Sequence, residues 1–174
     1  MVEHTRKSMM KNEYAPNDGF PYYFDLVKNN DLERLFSSRS TFIFLNSIDE
    51  EKAAYRYAPD KWSIKQIVGH ITDHERIKMF RAFQLSRNEK SQLWGYDQNF
   101  LVNNSRFEEL SLKQLVADFE QVRKASISFI QTLSKKQLET KGWARQYEIT
   151  LHDFLKTIIG HEIHHLNIIK ERYI

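Results

Sequence analysis

The sequence predicts an all-α protein, a four-helix bundle with long crossover connections. The chain of 174 residues contains only three prolines and five glycines, a scarcity that suits long helices. Apolar residues recur at spacings of three and four in four separate segments, and no convincing series of strands is present. Amphipathic helices without strands bury their apolar faces against one another, as in a bundle.

Capping boxes mark the starts of three predicted helices. In this motif a Ser or Thr side chain accepts a hydrogen bond from the backbone three residues on, and the side chain there reaches back. The pairs are Ser63 with Gln66, Ser111 with Gln114 and, as a looser match, Thr150 with Asp153. An earlier helix begins near Asp31. The predicted helices span residues 31–47, 63–87, 111–133 and 150–172.

Two connections, 48–62 and 88–110, are longer than most loops, and loops of this length usually fold locally or carry function. The first contains a possible helical turn from Ser47 to Glu50. In the second, three residues could line a pocket, although packing and turn roles explain them at least as well. These residues are Trp94, Tyr96 and Asp97.

The composition is that of a soluble globular protein, with 41% apolar and 28% charged residues. Residues 1–174 fit a single domain that can bury a core without disulfides or a structural metal. Its first part, about 1–19, is expected to be extended or flexible. The sequence shows neither a signal-peptide core nor an apolar run of 18 residues, so it predicts a cytoplasmic protein outside the membrane.

The net charge of +3 and a pI near 9.0 raise the question of nucleic-acid binding. Acidic and basic residues alternate along the chain, however, whereas a nucleic-acid footprint needs clustered positive charge. We therefore expect no nucleic-acid partner. Cysteine is absent, which excludes disulfides, thiolate ligands and a cysteine nucleophile. Any sulfur chemistry must use an external thiol.

The last predicted helix carries the segment GHEIHHLN. On a helical wheel, His165 and His161 lie about 40° and 80° from the apolar centre on the same flank, whereas His164 lies about 140° away and is predicted to be at the surface. Imidazoles four residues apart can both reach one metal ion. Because two ligands hold a metal poorly, a third is expected from another helix.

The second predicted helix offers His70 and His74. The wheel slightly favours His74, which lies about 70° from the apolar centre against about 110° for His70. The positions of the glycines favour His70 as the third ligand, because Gly69 precedes His70 as Gly160 precedes His161. Both glycines are present although a glycine inside a helix costs about 1 kcal/mol of stability relative to alanine. These glycines would let backbones approach or leave room for a ligand. Tight helix packing explains them nearly as well.

Three neutral imidazoles suit zinc or nickel, with iron(II) a further possibility, and leave a fourth position open. The letters HEIHH also match a zinc protease motif, H-E-x-x-H. Only nine residues follow His165, and Ile168 and Glu171 occupy positions where the longer protease motif needs glycine and histidine. A peptidase is therefore disfavoured.

Glu162 and Glu75 lie close to the apolar centres of their helices, and buried carboxylates need partners. Either could orient a ligating imidazole or act as a catalytic general base. Pairing with Arg76, Arg172 or another buried cation explains them equally well.

These segments resemble the DinB-like, or YfiT-like, family of four-helix bundles, which is regarded as a family of metal-dependent enzymes. The resemblance covers about residues 20–173 and is strongest in APDKWSIKQIVGHITDHER and GHEIHHLNIIKERY, with a weaker match in GYDQNF. It implies a metal site of His70, His161 and His165, and a role for Trp62 in anchoring the second helix. His74 departs from the family pattern, which leaves it as a spare surface group, a fourth ligand or part of the substrate pocket.

The resemblance also implies transfer or isomerisation chemistry with low-molecular-weight thiols such as bacillithiol or mycothiol, and homodimers are common in the family. Our leading hypothesis is a thiol-dependent S-transferase, or a related hydrolase, that acts on a small electrophilic substrate. A bound cation would favour the deprotonated form of the thiol or of water. The alternative is a non-catalytic metal- or small-ligand-binding protein of the DNA-damage or stress-inducible type.

Overall fold

The computed structural model describes residues 14–89, 95–144 and 147–174. The helices in these ranges are α1 (Phe20–Asp25), α2 (Leu32–Ser37), α3 (Ser40–Asn46), α4 (Glu50–Ala54), α5 (Ile64–Ser86), α6 (Gln98–Asn103), α7 (Leu112–Gln131), α8 (Lys135–Leu138) and α9 (Leu151–Arg172). A hairpin of strands β1 (Lys141–Ala144) and β2 (Tyr147–Thr150) precedes α9. Among the described helices, none has the length and apolar character needed to cross a membrane.

The predicted four-helix bundle is confirmed. Helix α5 packs against both α7 and α9, while α2 and α3 pack against α9 and α7 and together complete the bundle. Short α1 lies along α9. The histidine-bearing helices α5 and α9 are therefore direct neighbours.

The three long helices begin where the capping pattern predicts. Ser63 and Ser111 each form the full reciprocal box with the glutamine three residues later. Thr150 accepts a hydrogen bond from the backbone of Asp153, which caps α9. Because these caps satisfy backbone donors that the helix leaves unpaired, the predicted boundaries agree with the observed ones within about two residues.

The prediction of one continuous helix over residues 31–47 is wrong. Asp31 caps a helix as expected, but the chain is extended at Ser38, with φ −62° and ψ 133°, so the segment divides into α2 and α3. Local side-chain hydrogen bonds compete with the helix here. The Ser38 hydroxyl contacts that of Ser40 at 2.9 Å, and the Ser37 hydroxyl donates to the Arg34 carbonyl.

The β-hairpin was not predicted. Its strands are antiparallel, with Lys141 opposite Thr150 and Ala144 opposite Tyr147. Each strand has only four residues, and although β1 alternates between exposed and half-buried residues, β2 does not alternate cleanly, so periodicity gives little signal. The hairpin leads directly into α9 and places β1 beside the candidate site described below.

Both long connections fold locally. Helix α4 begins after Asp49, whose side chain caps it, so the helical turn predicted around Ser47–Glu50 starts slightly later in the structure. In the second connection, Asp97 caps α6 and a short 3-10 turn follows at Phe107–Glu109.

The core consists of two apolar clusters with a polar layer between them. One cluster includes apolar residues in the first third of α5 and the last third of α9, and the other includes Ala82 and Leu85 of α5 with apolar residues in the first half of α9. Buried polar residues lie between the two clusters on these helices. They are Thr72, His74 and Glu75 on α5 and His161 and Glu162 on α9. The candidate site therefore lies at the middle of the bundle.

Both glycines beside the histidines serve close packing. A Cβ on Gly160 would lie 2.0 Å from the Tyr23 backbone oxygen, and a Cβ on Gly69 would lie 2.5 Å from the Phe107 ring. Gly160 thus lets the backbone of α1 approach α9, which is the first explanation for these glycines, and tight packing, the second explanation, accounts for Gly69.

Gly160→Ala should destabilise the protein more than Gly69→Ala. The methyl group at residue 160 meets backbone that cannot rotate away, whereas the Phe107 ring can shift, and overpacking of a core costs about 1–3 kcal/mol or more. Urea unfolding of both variants measures the difference. Equal stability of wild type and Gly160→Ala would contradict the close approach of α1 to α9.

Candidate metal centre

Three imidazoles from two helices converge on one point. The Nε2 atom of His161 lies 3.1 Å from Nε2 of His70 and 3.2 Å from Nε2 of His165. One ring nitrogen from each of the three residues lies within 4.8 Å of the others. We call His70, His161 and His165 the histidine cluster. The i,i+4 spacing on α9 and the packing of α5 against α9 bring these rings together.

The cluster fits a transition metal. A tetrahedral ion with bonds of about 2.0–2.1 Å holds its ligand nitrogens about 3.3 Å apart, close to the two observed separations. Burial lowers the pKa of His70 to about 4, and burial also lowers the pKa of His161 and His165. The rings are therefore neutral at pH 7 and their lone pairs can bind a cation. A single ion would satisfy three nitrogens that otherwise crowd one another.

The surroundings of the cluster are aromatic. The Trp62 ring lies 4.9 Å from the His70 ring and 6.4 Å from the His165 ring, measured between centroids. Tyr23 contacts the His161 ring at 5.2 Å. The Nδ1 atom of His161 is buried and has no hydrogen-bond partner within the described part of the chain. Trp62, at the start of α5, thus packs directly on the site.

His74 is buried but lies outside the histidine cluster. Its ring stacks on that of His161, with centroids 3.5 Å apart and planes within 10°, and its Nδ1 lies 2.7 Å from the Tyr96 hydroxyl. The helical wheel correctly pointed His74 inward, and the structure rules out a spare surface role. His164, predicted at the surface, is half-buried instead, because the Tyr22 hydroxyl lies 3.1 Å from its Nδ1.

His74→Ala should retain metal, because the His74 ring nitrogens are not part of the histidine cluster. We expect near-wild-type metal content by elemental analysis after reconstitution with zinc. A loss of metal as complete as in His70→Ala would instead make His74 a ligand. Tyr96→Phe, which removes only the hydrogen bond to His74, is the matched control.

A cavity of about 570 Å³ opens beside the cluster. Its walls come from the turn before α1, from α5 and α9, from β1 and from the connection that precedes α6. The lining includes Tyr23, His74, Lys78, Arg81, Tyr96, Trp143, Phe154, His161, His164 and His165. Such a volume is typical of a small-molecule site.

Of the three connection residues predicted as possible pocket residues, Tyr96 lines the cavity. Asp97 caps α6, as a turn residue would, and Trp94 lies outside the described residues. The sequence reasoning missed Lys78 and Arg81. They continue the face of α5 that carries His70 and His74, and this spacing could have identified them.

Glu75 and Glu162 bind a buried cation, which matches the alternative explanation for these residues. Arg123 of α7 donates to Glu75 Oε2 at 2.8 Å and also to Glu162. Ser126 donates to Glu75 at 2.6 Å, and Thr41 donates to Glu162. We call Arg123, Glu75 and Glu162 the arginine network.

The buried cation that binds these carboxylates is Arg123 rather than Arg76 or Arg172, the two arginines named from the sequence. Arg76 is exposed and pairs with Asp73 and Asp118 instead, and Arg172 is exposed. The hydrogen bonds recorded for the two glutamates are to Arg123, Ser126 and Thr41 rather than to an imidazole. These contacts assign the glutamates to the arginine network rather than to direct support of the histidine cluster.

Comparison with known proteins agrees with this architecture. Among solved structures, the chain is similar to YfiT from Bacillus subtilis, described as "a probable metal-dependent hydrolase with an unusual four-helix bundle topology", with a TM-score of 0.67 and 16% sequence identity. The similarity covers 92% of this chain and 89% of that chain. No curated protein matches the sequence. The family model of the DinB superfamily matches residues 37–169, which include most of the bundle and every residue of the histidine cluster. The chain therefore belongs to the DinB superfamily.

Proposed function

We propose that this protein is a metal-dependent enzyme in which His70, His161 and His165 hold a divalent transition metal, with zinc or nickel favoured over iron(II). The observation that carries this proposal is the convergence of three neutral imidazole nitrogens, with His161 Nε2 3.1 Å from that of His70 and 3.2 Å from that of His165, beside a cavity that His161 and His165 line. Two helices of the bundle fix these nitrogens before any ligand arrives, so the site needs little reorganisation to bind.

The chemistry we propose is transfer of a low-molecular-weight thiol to a small electrophile, or hydrolysis of a related substrate at the same site. When bound, the metal favours the deprotonated form of a thiol or of water. The absence of cysteine is consistent with an external thiol. YfiT, described as a probable metal-dependent hydrolase, supports the hydrolytic variant.

Aromatic residues of the protein exclude water from the histidine cluster and orient the His74 ring beside it. Trp62 packs on two rings of the cluster and Tyr23 on the third, which shields the nitrogens from bulk solvent. Burial raises the pKa of Tyr96 to about 12, so its hydroxyl stays protonated and can donate to His74 Nδ1. This hydrogen bond would place the proton of neutral His74 on Nε2 and fix the ring beside His161.

An assay with paired substrates tests the proposal. Protein reconstituted with zinc, nickel or iron(II) is incubated with a chloroarene and bacillithiol, and separately with an aryl ester and no thiol. In the transfer reaction a carbon–sulfur bond forms, chloride leaves with the electron pair of the broken carbon–chlorine bond, and the thiol proton passes to buffer. We expect metal-dependent thioether formation.

The outcomes distinguish the alternatives. Ester cleavage without thiol, lost in His165→Ala, would identify a hydrolase. Stoichiometric metal without turnover of either substrate pair would contradict the enzyme proposal and favour the non-catalytic metal-binding protein. The control is His152→Ala, because His152 is a half-exposed histidine on α9 that pairs with Asp153 and does not line the cavity.

A further inference from the structure

The histidine face of α5 continues into two basic residues. Residues 70, 74, 78 and 81 follow one another at spacings of four, four and three, so they share one face of the helix within about 80°. Lys78 and Arg81 line the same cavity as His74 and His161. At 1.5 Å of rise per residue, they lie about 6 Å and about 10 Å beyond His74 along the helix.

Helix α9 forms the facing wall. Lys78 Nζ lies 5.3 Å from the centre of the Phe154 ring on α9, and Arg81 Cζ lies 5.8 Å from the centre of the Tyr96 ring. Phe20 and Trp143 add apolar surface to the cavity. The cavity thus runs from His161 and His165, past aromatic walls, to the lysine and the arginine.

Two cationic side chains line the described walls of this cavity. Lys78 and Arg81 each bring a cationic side chain to the cavity. Both cations are half-buried, and cations in a partly enclosed cleft attract anions more strongly than cations in open water.

We propose that Lys78 and Arg81 bind the anionic end of the substrate, a carboxylate or phosphate group on a molecule with a small apolar body. This inference rests on the proposed function, since it places the reactive end of the same molecule at the histidine cluster. The guanidinium of Arg81 can hold a planar oxyanion through two hydrogen bonds, and Lys78 adds a point charge nearer the cluster. The substrate class is therefore small anionic electrophiles or anionic thiols.

Ligand binding to the metal-free protein tests this assignment apart from catalysis. Titration calorimetry measures the binding of 3-phenylpropionate, of its neutral isostere 3-phenylpropanamide and of 2-phenylethyl phosphate. The proteins are wild type, Lys78→Met, Arg81→Met and Lys124→Met, the last removing an exposed lysine on the outside of α7. Circular dichroism melts check that each variant is folded.

We expect wild type and Lys124→Met to bind at least one anion and to discriminate against the amide. Each cleft substitution should weaken anion binding about tenfold, as expected for the loss of a charge-assisted hydrogen bond. The stronger of the two anions identifies carboxylate or phosphate as the preferred group. Because no metal is present, a positive result stands even if the metal-dependent reaction fails.

Equal affinity for the acid and the amide would overturn the proposal, as would anion binding that is unchanged in both cleft variants. A repeat with zinc-loaded protein adds a further test. If anions bind only after zinc is added, and Lys78→Met and Arg81→Met bind them as wild type does, the anion sits on the metal and the proposal is wrong.

Discussion

His161→Ala is expected to abolish metal binding by this protein. His161 occupies the middle of the histidine cluster, since its Nε2 is the atom that lies 3.1 Å from His70 and 3.2 Å from His165. Loss of a residue that only supports a ligand already weakens metal binding about 10–100-fold, so loss of a ligand should cost more. Elemental analysis of tag-free protein after zinc reconstitution measures the result.

The same loss is expected for His70→Ala and His165→Ala, because each removes one nitrogen of the cluster. Thermal melting provides a second readout, since a metal that binds only the folded state raises its stability in proportion to the logarithm of metal concentration over Kd. Added zinc should raise the melting temperature of wild type and His152→Ala but of none of the three cluster variants. Stoichiometric zinc in His70→Ala would remove α5 from the site and contradict the two-helix centre.

The parts of this site that follow helical spacing could be predicted from sequence. His161 and His165 are one turn apart, so any helix places their rings side by side. The choice between His70 and His74 could not be made in that way, because both face inward and their selection depends on how α5 rotates against α9. That rotation depends on long-range packing that helical spacing does not encode. The resemblance to the DinB-like family selected His70.

The elements that sequence reasoning missed are those that depend on short segments or distant partners. The break at Ser38 and the four-residue strands of the hairpin involve too few residues for periodicity to register. Arg123, by contrast, could have been identified from the sequence. It lies on the apolar stripe of α7 between Phe119 and Ser126, and a cation there could have been matched to the carboxylates on the apolar faces of α5 and α9.

Arg123→Met is expected to destabilise the protein by about 3–5 kcal/mol, because removal of one member of a buried ionic group leaves its partners charged and unpaired. Arg123 is 3% exposed and Glu75 and Glu162 are 1% and 3% exposed. Burial disfavours the charge of Arg123, but the two carboxylates outweigh this effect and raise its pKa. For a domain of this size the melting temperature should fall by roughly 6–20 °C.

The control is Arg76→Met on the neighbouring surface. Arg76 also binds a carboxylate from α7, with Nη2 2.6 and 2.8 Å from the Asp118 oxygens, but it is exposed. Exposed ion pairs contribute about 0–1 kcal/mol, so this variant should melt close to wild type. A similarly small effect of Arg123→Met would show that the arginine network does not hold α5, α7 and α9 together.

The glutamates supply the decisive comparison between a structural and a catalytic role. Glu162→Gln keeps the shape of the side chain but removes its charge, so within the arginine network it should lower the melting temperature and relieve part of the penalty of Arg123→Met when the two are combined. A general base would behave in the opposite way, losing turnover while stability stayed unchanged. Because Glu162 is hydrogen-bonded to Arg123 and Thr41, we expect the loss of stability, with metal content retained.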